Sequence, residues 1–296
     1  MEFNQLRYVC AIAETGSFSR AAEHCHVAQP SLSQQVLKLE EDLNAKLFDR
    51  LGRSVRLTEA GRAFLPHARS ILQQMEAARS GVEDKRTDVR GSVAVGVIPT
   101  IAPYLMPGYT AAFTKRYPEA RLRILEETTP VLVESLRDLS IDLAVLALPL
   151  RHKEFDLFPL RTEPLFAVLP KDHPKAGAKS LALKDLRGES FVMLRDGHCF
   201  RGLTIAVCAR ARVTPRIAFE SGQFSSLLAM VAAGVGVTLA PEMAIDRNAD
   251  CRYVRISDAR ATRTIVAAVL HGRSFNRVQQ AFLSGITKMK EWAPAR

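Results

Sequence analysis

The sequence predicts an α/β protein with an N-terminal winged helix-turn-helix, a long linker helix and a two-lobed α/β domain. Apolar residues recur at helical spacing through the first 43 residues. An apolar stripe that steps by four and three follows to about residue 86, and short apolar strands then alternate with helices. The expected bounds are 1–58 for the first part, 59–88 for the linker helix and 89–296 for the α/β domain.

The first part predicts three short helices and a two-stranded wing. Gly16 ends the first helix, Ser17 or Ser19 caps the second, and the third follows Pro30. Three short helices with a tight turn before the third are typical of a helix-turn-helix. Two short strands around Gly52 complete the wing.

The linker helix carries an apolar seam that favours dimerisation, because its spacing is that of a coiled coil. The seam residues are Phe64, Ala68, Ile71, Met75, Ala78 and Val82. Pro66 is expected to bend the helix near its start. The open alternative is that the same stripe packs within one subunit.

From Val89 onward, alternating strands and helices predict an α/β domain with a mainly parallel sheet. The strand candidates include residues 165–169 and 190–194. Lobe I is expected over 89–162 and 264–296 and lobe II over 163–263, so the chain crosses over and back as in periplasmic binding proteins. A two-lobed body of this kind has its ligand cleft between the lobes.

Composition and charge limit the function classes. The hydrophobic and charged fractions, 47% and 24%, are ordinary for a globular protein. No apolar run reaches the roughly 18 residues that cross a bilayer, and the polar first residues do not fit a secretory signal. We therefore expect a cytoplasmic protein without a membrane partner.

The net charge of +10 suggests a nucleic-acid partner, but its distribution weakens that inference. Residues 1–58 hold seven basic and seven acidic side chains, so the excess lies elsewhere. The useful local signal is a basic cluster at the wing. It consists of Lys46, Arg50, Arg53 and Arg56 against a single Asp49.

Cys199 and Cys208 are the most informative of the five cysteines. His198, Arg195 and Arg201 flank Cys199, and such neighbours favour the thiolate, which is the reactive form. A second thiol nearby offers a partner for a reversible bond. The odd count and the lack of Cys-x2-Cys spacing predict neither a static disulfide framework nor a metal or cofactor site. The cysteines expected to be structural are Cys10, Cys25 and Cys251.

Five motifs near the N-terminus form a specific set. They are Phe18-Ser19-Arg20-Ala21-Ala22, Gln29-Pro30-Ser31-Leu32-Ser33-Gln34-Gln35, Leu39-Glu40, Leu47-Phe48-Asp49-Arg50 and Leu57-Thr58-Glu59-Ala60-Gly61. With them the whole chain resembles the LysR-type transcriptional regulators. The resemblance implies a non-enzymatic protein that binds double-stranded promoter DNA and works with RNA polymerase. It also implies a homo-oligomer, a dimer through the linker helix, with a tetramer favoured.

Segments of the α/β domain match one group of that family. They are Ile98-Pro99-Thr100, Pro103-Tyr104-Leu105, Thr129, Asp196-Gly197-His198-Cys199, Cys208, Met230-Val231-Ala232-Ala233-Gly234 and Arg263-Thr264-Ile265. These segments resemble the OxyR proteins, which sense hydrogen peroxide, and imply peroxide as the ligand. The chain departs from that group at Gly202-Leu203, where OxyR proteins carry polar residues.

The resemblance places the helix after Pro30 in the major groove. Its expected base or phosphate contacts are Gln29, Ser31, Ser33, Gln34 and Lys38. The wing residues Arg50, Arg53 and Arg56 are expected to neutralise phosphates and to add affinity more than sequence choice. For each of these residues the alternative is a solvated surface position.

The same resemblance implies a sensing site built on Cys199. Its thiolate attacks peroxide and becomes a sulfenic acid, while Thr100 and Thr129 resemble the hydroxyls that hold peroxide. His198 is expected to donate to peroxide or to stabilise the leaving hydroxide, and Arg263 belongs to the matching set. The alternative for each threonine is capping of a strand end or helix.

Cys208 is the expected resolving thiol. If residues 201–212 are helical, the two Cα atoms lie roughly 13 Å apart at about 1.5 Å per residue. A disulfide needs them within about 7 Å. Formation of the bond would therefore unwind part of the helix and could move a subunit interface.

Three other functions compete with peroxide sensing by a transcriptional regulator. The runner-up is a LysR-type regulator that binds a small organic anion between its lobes, with the cysteines incidental. A thiol peroxidase would leave the wing, the recognition helix and the seam without purpose. A periplasmic solute-binding protein shares the two-lobed pattern but needs an export signal.

Overall fold

The computed structural model describes residues 1–51, 54–82, 89–150, 152–246 and 250–289. The chain divides into two compact units. The first comprises residues 1–87 with the short segments 137–140 and 272–277, and the second comprises the remainder. The predicted wing residue Arg53 and the seam's continuation beyond residue 82 lie outside the described residues.

The first unit is a winged helix-turn-helix followed by a long helix, as predicted. Its elements are α1 (Phe3–Thr15), α2 (Phe18–Cys25), α3 (Gln29–Asp42), the antiparallel strands β1 (Phe48–Leu51) and β2 (Ser54–Leu57), and α4 (Glu59–Val82). Ser17, one of the two expected caps, accepts a hydrogen bond from the backbone N–H of Arg20. Apolar residues from all four helices and both strands form one core.

Glu40 ties the wing to α3. Its Oε1 accepts hydrogen bonds from the backbone N–H groups of Leu47 (2.7 Å) and Phe48 (3.1 Å). These donors lie at the start of the wing, and a carboxylate acceptor makes such bonds strong. The motif residue Glu40 therefore fixes the wing relative to the third helix.

The seam of α4 is used largely within the subunit. Ala68 is fully buried in the first unit's core, and Phe64 and Ile71 pack against that core. Met75 is half-buried and Ala78 is exposed. The open alternative of packing within one subunit therefore holds for the first half of the stripe. The helix continues through Pro66.

The second unit alternates strands and helices. Its first elements are β3 (Gly91–Val97), α5 (Ala102–Arg116), β4 (Ala120–Glu126), α6 (Thr129–Arg137), β5 (Leu143–Ala147), β6 (Phe155–Pro170) and β7 (Ser180–Leu181). There follow β8 (Ser190–Leu194), α7 (Cys199–Arg210), β9 (Arg216–Ser221), α8 (Phe224–Ala232), β10 (Thr238–Pro241), β11 (Cys251–Ile256), β12 (Thr262–Leu270) and α9 (Arg277–Thr287). Single 3₁₀ turns cover Leu183–Leu186 and Glu242–Ala244.

The prediction of a mainly parallel sheet was wrong, because the main sheet is mixed. Its strand order is β4-β3-β5-β12-β6-β11-β7, and β10 also pairs with β6. The pairs β3–β4 and β3–β5 are parallel, whereas β12 is antiparallel to both β5 and β6. The strands β8 and β9 form a separate parallel pair. The sequence pattern predicted only residues 165–169 of the 16-residue strand β6.

The long strand β6 is shared by two parts of the sheet. Residues 155–164 pair with β12, and residues 165–170 pair with β10 and β11. Near the change of partner, Glu163 lies directly opposite Arg263. Successive side chains of a strand point to opposite faces, so the adjacent pair Thr162 and Thr264 lies on the other face, where the two hydroxyls are 2.9 Å apart.

Candidate functional site

Cys199 is the first residue of α7, directly after the turn that follows β8. Gly197 makes this turn with a φ of 92°, in a region of backbone conformation that glycine adopts readily. His198 caps the helix with extended backbone. The sulfur of Cys199 therefore lies at a helix N-terminus, beside the backbone N–H groups of Cys199 and Phe200.

A small, narrow pocket lies beside the Cys199 side chain, and its roughly 170 Å³ of empty space includes open solvent. Its walls are Ile98-Pro99-Thr100, Thr128-Thr129 and His198-Cys199-Phe200. The first two segments follow β3 and β4, which are parallel neighbours, so the carboxyl ends of these strands meet at one edge of the sheet. Four of the six predicted sensing residues therefore line one pocket.

Arg263 reaches this pocket through Thr100. Its Nη1 donates to Thr100 Oγ1 and its Nη2 to the Thr100 carbonyl oxygen, both at 3.0 Å. Its Nε donates to Glu163 Oε1 at 2.6 Å. Both side chains of this ion pair are 0% exposed. The guanidinium also lies 5.7 Å from the ring centre of Phe200, the neighbour of Cys199 in the sequence.

The hydroxyl of Thr129 is buried beside Cys199. None of the described residues forms a hydrogen bond of good geometry with its Oγ1, although the hydroxyl lies near enough to Cys199 to lower the pKa of that thiol. Buried polar atoms without a partner are uncommon and call for an explanation. Capping accounts for neither threonine. Thr100 Oγ1 is bonded to Arg263, and Ile101, the residue before α5, makes no side-chain cap bond. The Oγ1 of Thr129 makes no hydrogen bond of good geometry that would cap α6.

His198 is buried, with 8% of its surface exposed. Burial and then the charge of Arg195 lower the pKa of this imidazole. The ring is therefore neutral at pH 7 and carries one N–H donor and one acceptor nitrogen. A neutral imidazole beside a thiol can donate a hydrogen bond to a ligand, but it does not supply a positive charge that would favour the thiolate.

The expectation of an acidified Cys199 was wrong. Burial raises the pKa of this thiol above its ordinary value, and this effect exceeds all those that lower it. The lowering effects come from the Thr129 hydroxyl, the charge of Arg263 and the two backbone N–H groups of the helix start. Desolvation wins because a charged sulfur loses its water in a half-buried site.

Arg201 does not act on the thiol as the sequence suggested. Its Nε lies 2.8 Å from Asp196 Oδ1, its guanidinium pairs with Glu220, and its Nη1 donates to the Leu194 carbonyl oxygen at 3.0 Å. Two carboxylates therefore neutralise its charge. The residue joins the first turn of α7 to the ends of β8 and β9.

Cys208 lies in the last turn of the same helix. Its side chain is 0% exposed, and burial raises the pKa of its thiol to about 11. It packs in the apolar core that residues 165–261 form with one another. It is not part of the pocket that contains Cys199, and both thiols are free.

The other three cysteines are described by their packing. Cys10 and Cys251 are buried, and Cys25 is half-buried. Burial raises the pKa of Cys10 to about 11 and raises that of the Cys25 and Cys251 thiols. Cys251 is the first residue of strand β11.

The third helix presents most of its predicted DNA contacts to solvent. Gln29, Ser31, Gln34 and Lys38 are exposed, whereas Ser33 is half-buried. Leu32, Val36 and Leu39 face the core. Arg56 on the wing is exposed. Arg50 lies in β1, but its side chain is not among those that the structure describes. The helix therefore offers one polar face.

Two family models match the chain. Residues 3–62 match the bacterial regulatory helix-turn-helix of the LysR family, and residues 86–289 match the LysR substrate binding domain. The chain belongs to the LysR family of transcriptional regulators. Within the described residues of this LysR regulator, no helix is long and apolar enough to cross a membrane, and no cluster of three potential metal ligands is present.

Relatives of this LysR regulator include proteins of different names. It is 34% identical over 245 residues to the DNA-binding transcriptional dual regulator OxyR of Escherichia coli, covering 83% of this chain and 80% of that one. It is 35% identical over 243 residues to the transcriptional dual regulator GltC of Bacillus subtilis, covering 82% and 81%. Identity alone therefore does not decide what this LysR regulator senses.

A solved structure shares the fold over nearly the whole chain. It is a full-length OxyR variant from Pseudomonas aeruginosa, 29% identical, with a TM-score of 0.85, covering 97% of this chain and 98% of that one. The chain is therefore a LysR-type transcriptional regulator related to the OxyR peroxide sensors.

Two further candidate site residues of this LysR regulator, Glu163 and Leu37, were not singled out from the sequence. Glu163 belongs to no motif quoted above, and its position opposite Arg263 follows only once β6 is extended back to Phe155. Leu37 is 44% exposed on α3, between Gln34 and Lys38. An exposed apolar side chain on a helix that enters the major groove is suited to contact with a thymine methyl group. The sequence signal for Leu37 was an apolar residue among the polar positions of α3.

Proposed function

We propose that this LysR-type regulator senses hydrogen peroxide through Cys199 and answers with a reversible Cys199–Cys208 disulfide. The observation that carries the proposal is the small pocket in which the thiol meets Thr100, Thr129 and His198. Three polar side chains line this pocket together with the thiol, and the Thr129 oxygen has no hydrogen-bond partner of good geometry among the described residues.

The first step is attack of the Cys199 thiolate on one peroxide oxygen. An S–O bond forms, the O–O bond breaks, and the sulfur is oxidised to a sulfenic acid while the departing oxygen leaves as hydroxide. Donors at the pocket wall stabilise that negative charge as it develops. Thr100 and Thr129 hydroxyls and the His198 N–H are the donors in this proposal.

The second step is attack of the Cys208 thiol on the sulfenic sulfur. An S–S bond forms, the sulfenic oxygen leaves as water, and a proton from Cys208 completes it. Over both steps one peroxide accepts two electrons and becomes two waters. This step requires Cys208 to leave its core, so it is coupled to refolding of α7.

The anion-gated alternative receives less support from the pocket. Sites for small organic ligands span roughly 300–1,000 Å³, and the walls beside Cys199 enclose no cavity of that size. The cation behind the pocket wall is also engaged. Arg263 is bonded to Glu163 and Thr100 and is fully buried, so its charge is already neutralised and does not attract a ligand carboxylate.

In this proposal the output is altered promoter binding in the cytoplasm. The exposed residues of α3 and the wing arginines, including Arg53, contact double-stranded DNA, while Met75 and Ala78 on α4 belong to a dimer surface. A homotetramer and contact with RNA polymerase complete the proposed assembly.

The decisive experiment compares Cys199→Ser with the parent protein in promoter-binding and transcription assays, with and without peroxide. The proposal expects the variant to lose the peroxide response and to keep basal DNA binding. Cys25→Ser is the matched control, since it removes a half-buried thiol far along the chain and should respond normally. An unchanged response of Cys199→Ser would contradict the proposal.

A further inference from the structure

We propose that Glu163 is a positioning residue for the thiol site, acting through Arg263 to aim the Thr100 hydroxyl at the pocket. The inference rests on the proposed reaction of Cys199 with peroxide. Glu163 does not line the pocket; it lies on β6, directly across from Arg263 on β12.

Both carboxylate oxygens of Glu163 are used. Oε1 accepts from Arg263 Nε at 2.6 Å, and Oε2 accepts from the backbone N–H of Met243 at 2.8 Å. A buried carboxylate and guanidinium gain from pairing only when further hydrogen bonds fix their geometry. The Met243 bond supplies this, because it prevents the carboxylate from rotating about its own side chain.

The planar guanidinium carries this orientation to Thr100. With Nε fixed on Glu163, the two Nη groups are aimed together at the Thr100 hydroxyl oxygen and carbonyl oxygen. An arginine has five donors in a rigid fork and no acceptor. Its bond to Thr100 Oγ1 therefore uses the oxygen as acceptor and leaves the hydroxyl proton free to point elsewhere.

This arrangement settles the role of Thr100. The hydroxyl is held as a donor towards the pocket, where hydroxide leaves when the O–O bond breaks. Without Glu163, the guanidinium can turn, and the Thr100 hydroxyl can then donate its proton to another acceptor. Misplacing a group by about 1 Å can cost roughly a hundredfold in rate.

The test measures two rates at Cys199 in a Cys208→Ser background, by mass spectrometry of the Cys199 peptide. One rate is oxidation by hydrogen peroxide, which needs the Thr100 donor. The other is alkylation by iodoacetamide, which reports thiolate content and access. Glu163→Gln should lower the peroxide rate at least about tenfold without lowering the alkylation rate, because Glu163 is not among the groups that shift the pKa of the Cys199 thiol.

The matched control is Glu242→Gln. The Glu242 carboxylate pairs with Arg161, which lies on β6 two residues before Glu163, and it is partly exposed. Its loss should therefore leave the ratio of the two rates unchanged. Glu163→Asp is the second variant and carries the test if Glu163→Gln does not fold. It keeps the charge and withdraws the carboxylate by one methylene, so the peroxide rate should again fall selectively.

The outcomes separate the inference from the proposed function. If the parent Cys199 reacts with peroxide no faster than a free thiol of the same pKa, the proposed function fails. If the parent reacts fast and both Glu163 variants keep its ratio of rates, the inference alone fails. Equal loss of both rates shows a merely structural role and also overturns it.

Discussion

Cys199 and Cys208 lie on one helix, the first in its opening turn and the second in its last. Because α7 runs from Cys199 to Arg210, nine residues separate the Cα atoms by roughly 13 Å at about 1.5 Å per residue. The sequence placed the start of this helix at Arg201, outside Cys199. The structure includes Cys199 in the helix, so any bond to Cys208 must unwind the turn that lines the pocket beside Cys199.

Hydrogen exchange measures that unwinding. After peroxide treatment, backbone amides of α7 should exchange at least about tenfold faster, because the disulfide needs the Cα atoms within about 7 Å. Cys208→Ser treated in the same way should keep the exchange rates of the reduced protein. Linked cysteines with unchanged α7 protection would contradict the coupling.

Oxidation of Cys199 should depend steeply on pH. Burial raises the pKa of this thiol, so the reactive thiolate is a minor form at pH 7, and its share grows about tenfold per pH unit. The peroxide rate should therefore climb from pH 6 to pH 8 without a plateau. Stopped-flow measurement in Cys208→Ser isolates this step, and a rate constant that is level across that range would indicate an acidified thiol instead.

Arg201→Gln tests the new role of that side chain. We expect the pH profile of Cys199 oxidation to stay unchanged, because Asp196 and Glu220 already neutralise the charge. Disulfide formation should accelerate by a few-fold, since the first turn of α7 loses its bonds to the ends of β8 and β9. A profile displaced to higher pH would restore the thiolate-stabilising role predicted from the sequence.

Base reading and phosphate contact should separate on the DNA-binding surface. Gln34→Ala should cost about 1–3 kcal/mol at a single base position and keep the salt dependence of binding. Arg56→Gln should weaken binding to all sequences and reduce the slope of log K against log salt by about 1. Titrations of operator and unrelated DNA at several salt concentrations distinguish the two patterns.

Gly61 tests the packing behind the wing. A Cβ at this position would lie 2.0 Å from the Leu47 carbonyl oxygen, a backbone atom that cannot turn away. Gly61→Ala should lower the free energy of unfolding by at least about 2 kcal/mol. Gly108→Ala, where a Cβ meets nothing within 4 Å, should stabilise a helix by up to about 1 kcal/mol. Chemical denaturation of both variants compares them directly.

Periodicity predicted the elements whose apolar pattern is local. The three helices, the wing, and strand β8 at its observed bounds follow from spacing and turn residues. The first half of β6 was missed because it contains Pro159 and Pro164 and several charged residues. That half is held by its pairing with β12, a strand about a hundred residues further along the chain. A pairing with so distant a segment leaves no pattern in the local sequence.

The site was predictable in its members but not in its electrostatics. The resemblance named Thr100, Thr129, His198 and Cys199, which line one pocket. Flanking charges in the sequence suggested an acidic thiol. In the fold, Arg201 is neutralised by carboxylates and Cys199 is half-buried. Burial and pairing depend on residues far along the chain, so no count of neighbouring charges supplies them.

Mass spectrometric mapping of cysteine links tests the central claim most directly. The full chain, bound to promoter DNA, would be treated with one equivalent of peroxide and digested without reduction. The account predicts a Cys199–Cys208 link that forms together with a changed DNA footprint. Oxidised Cys199 that stays unlinked, or a link between other cysteines with that footprint change, would contradict it.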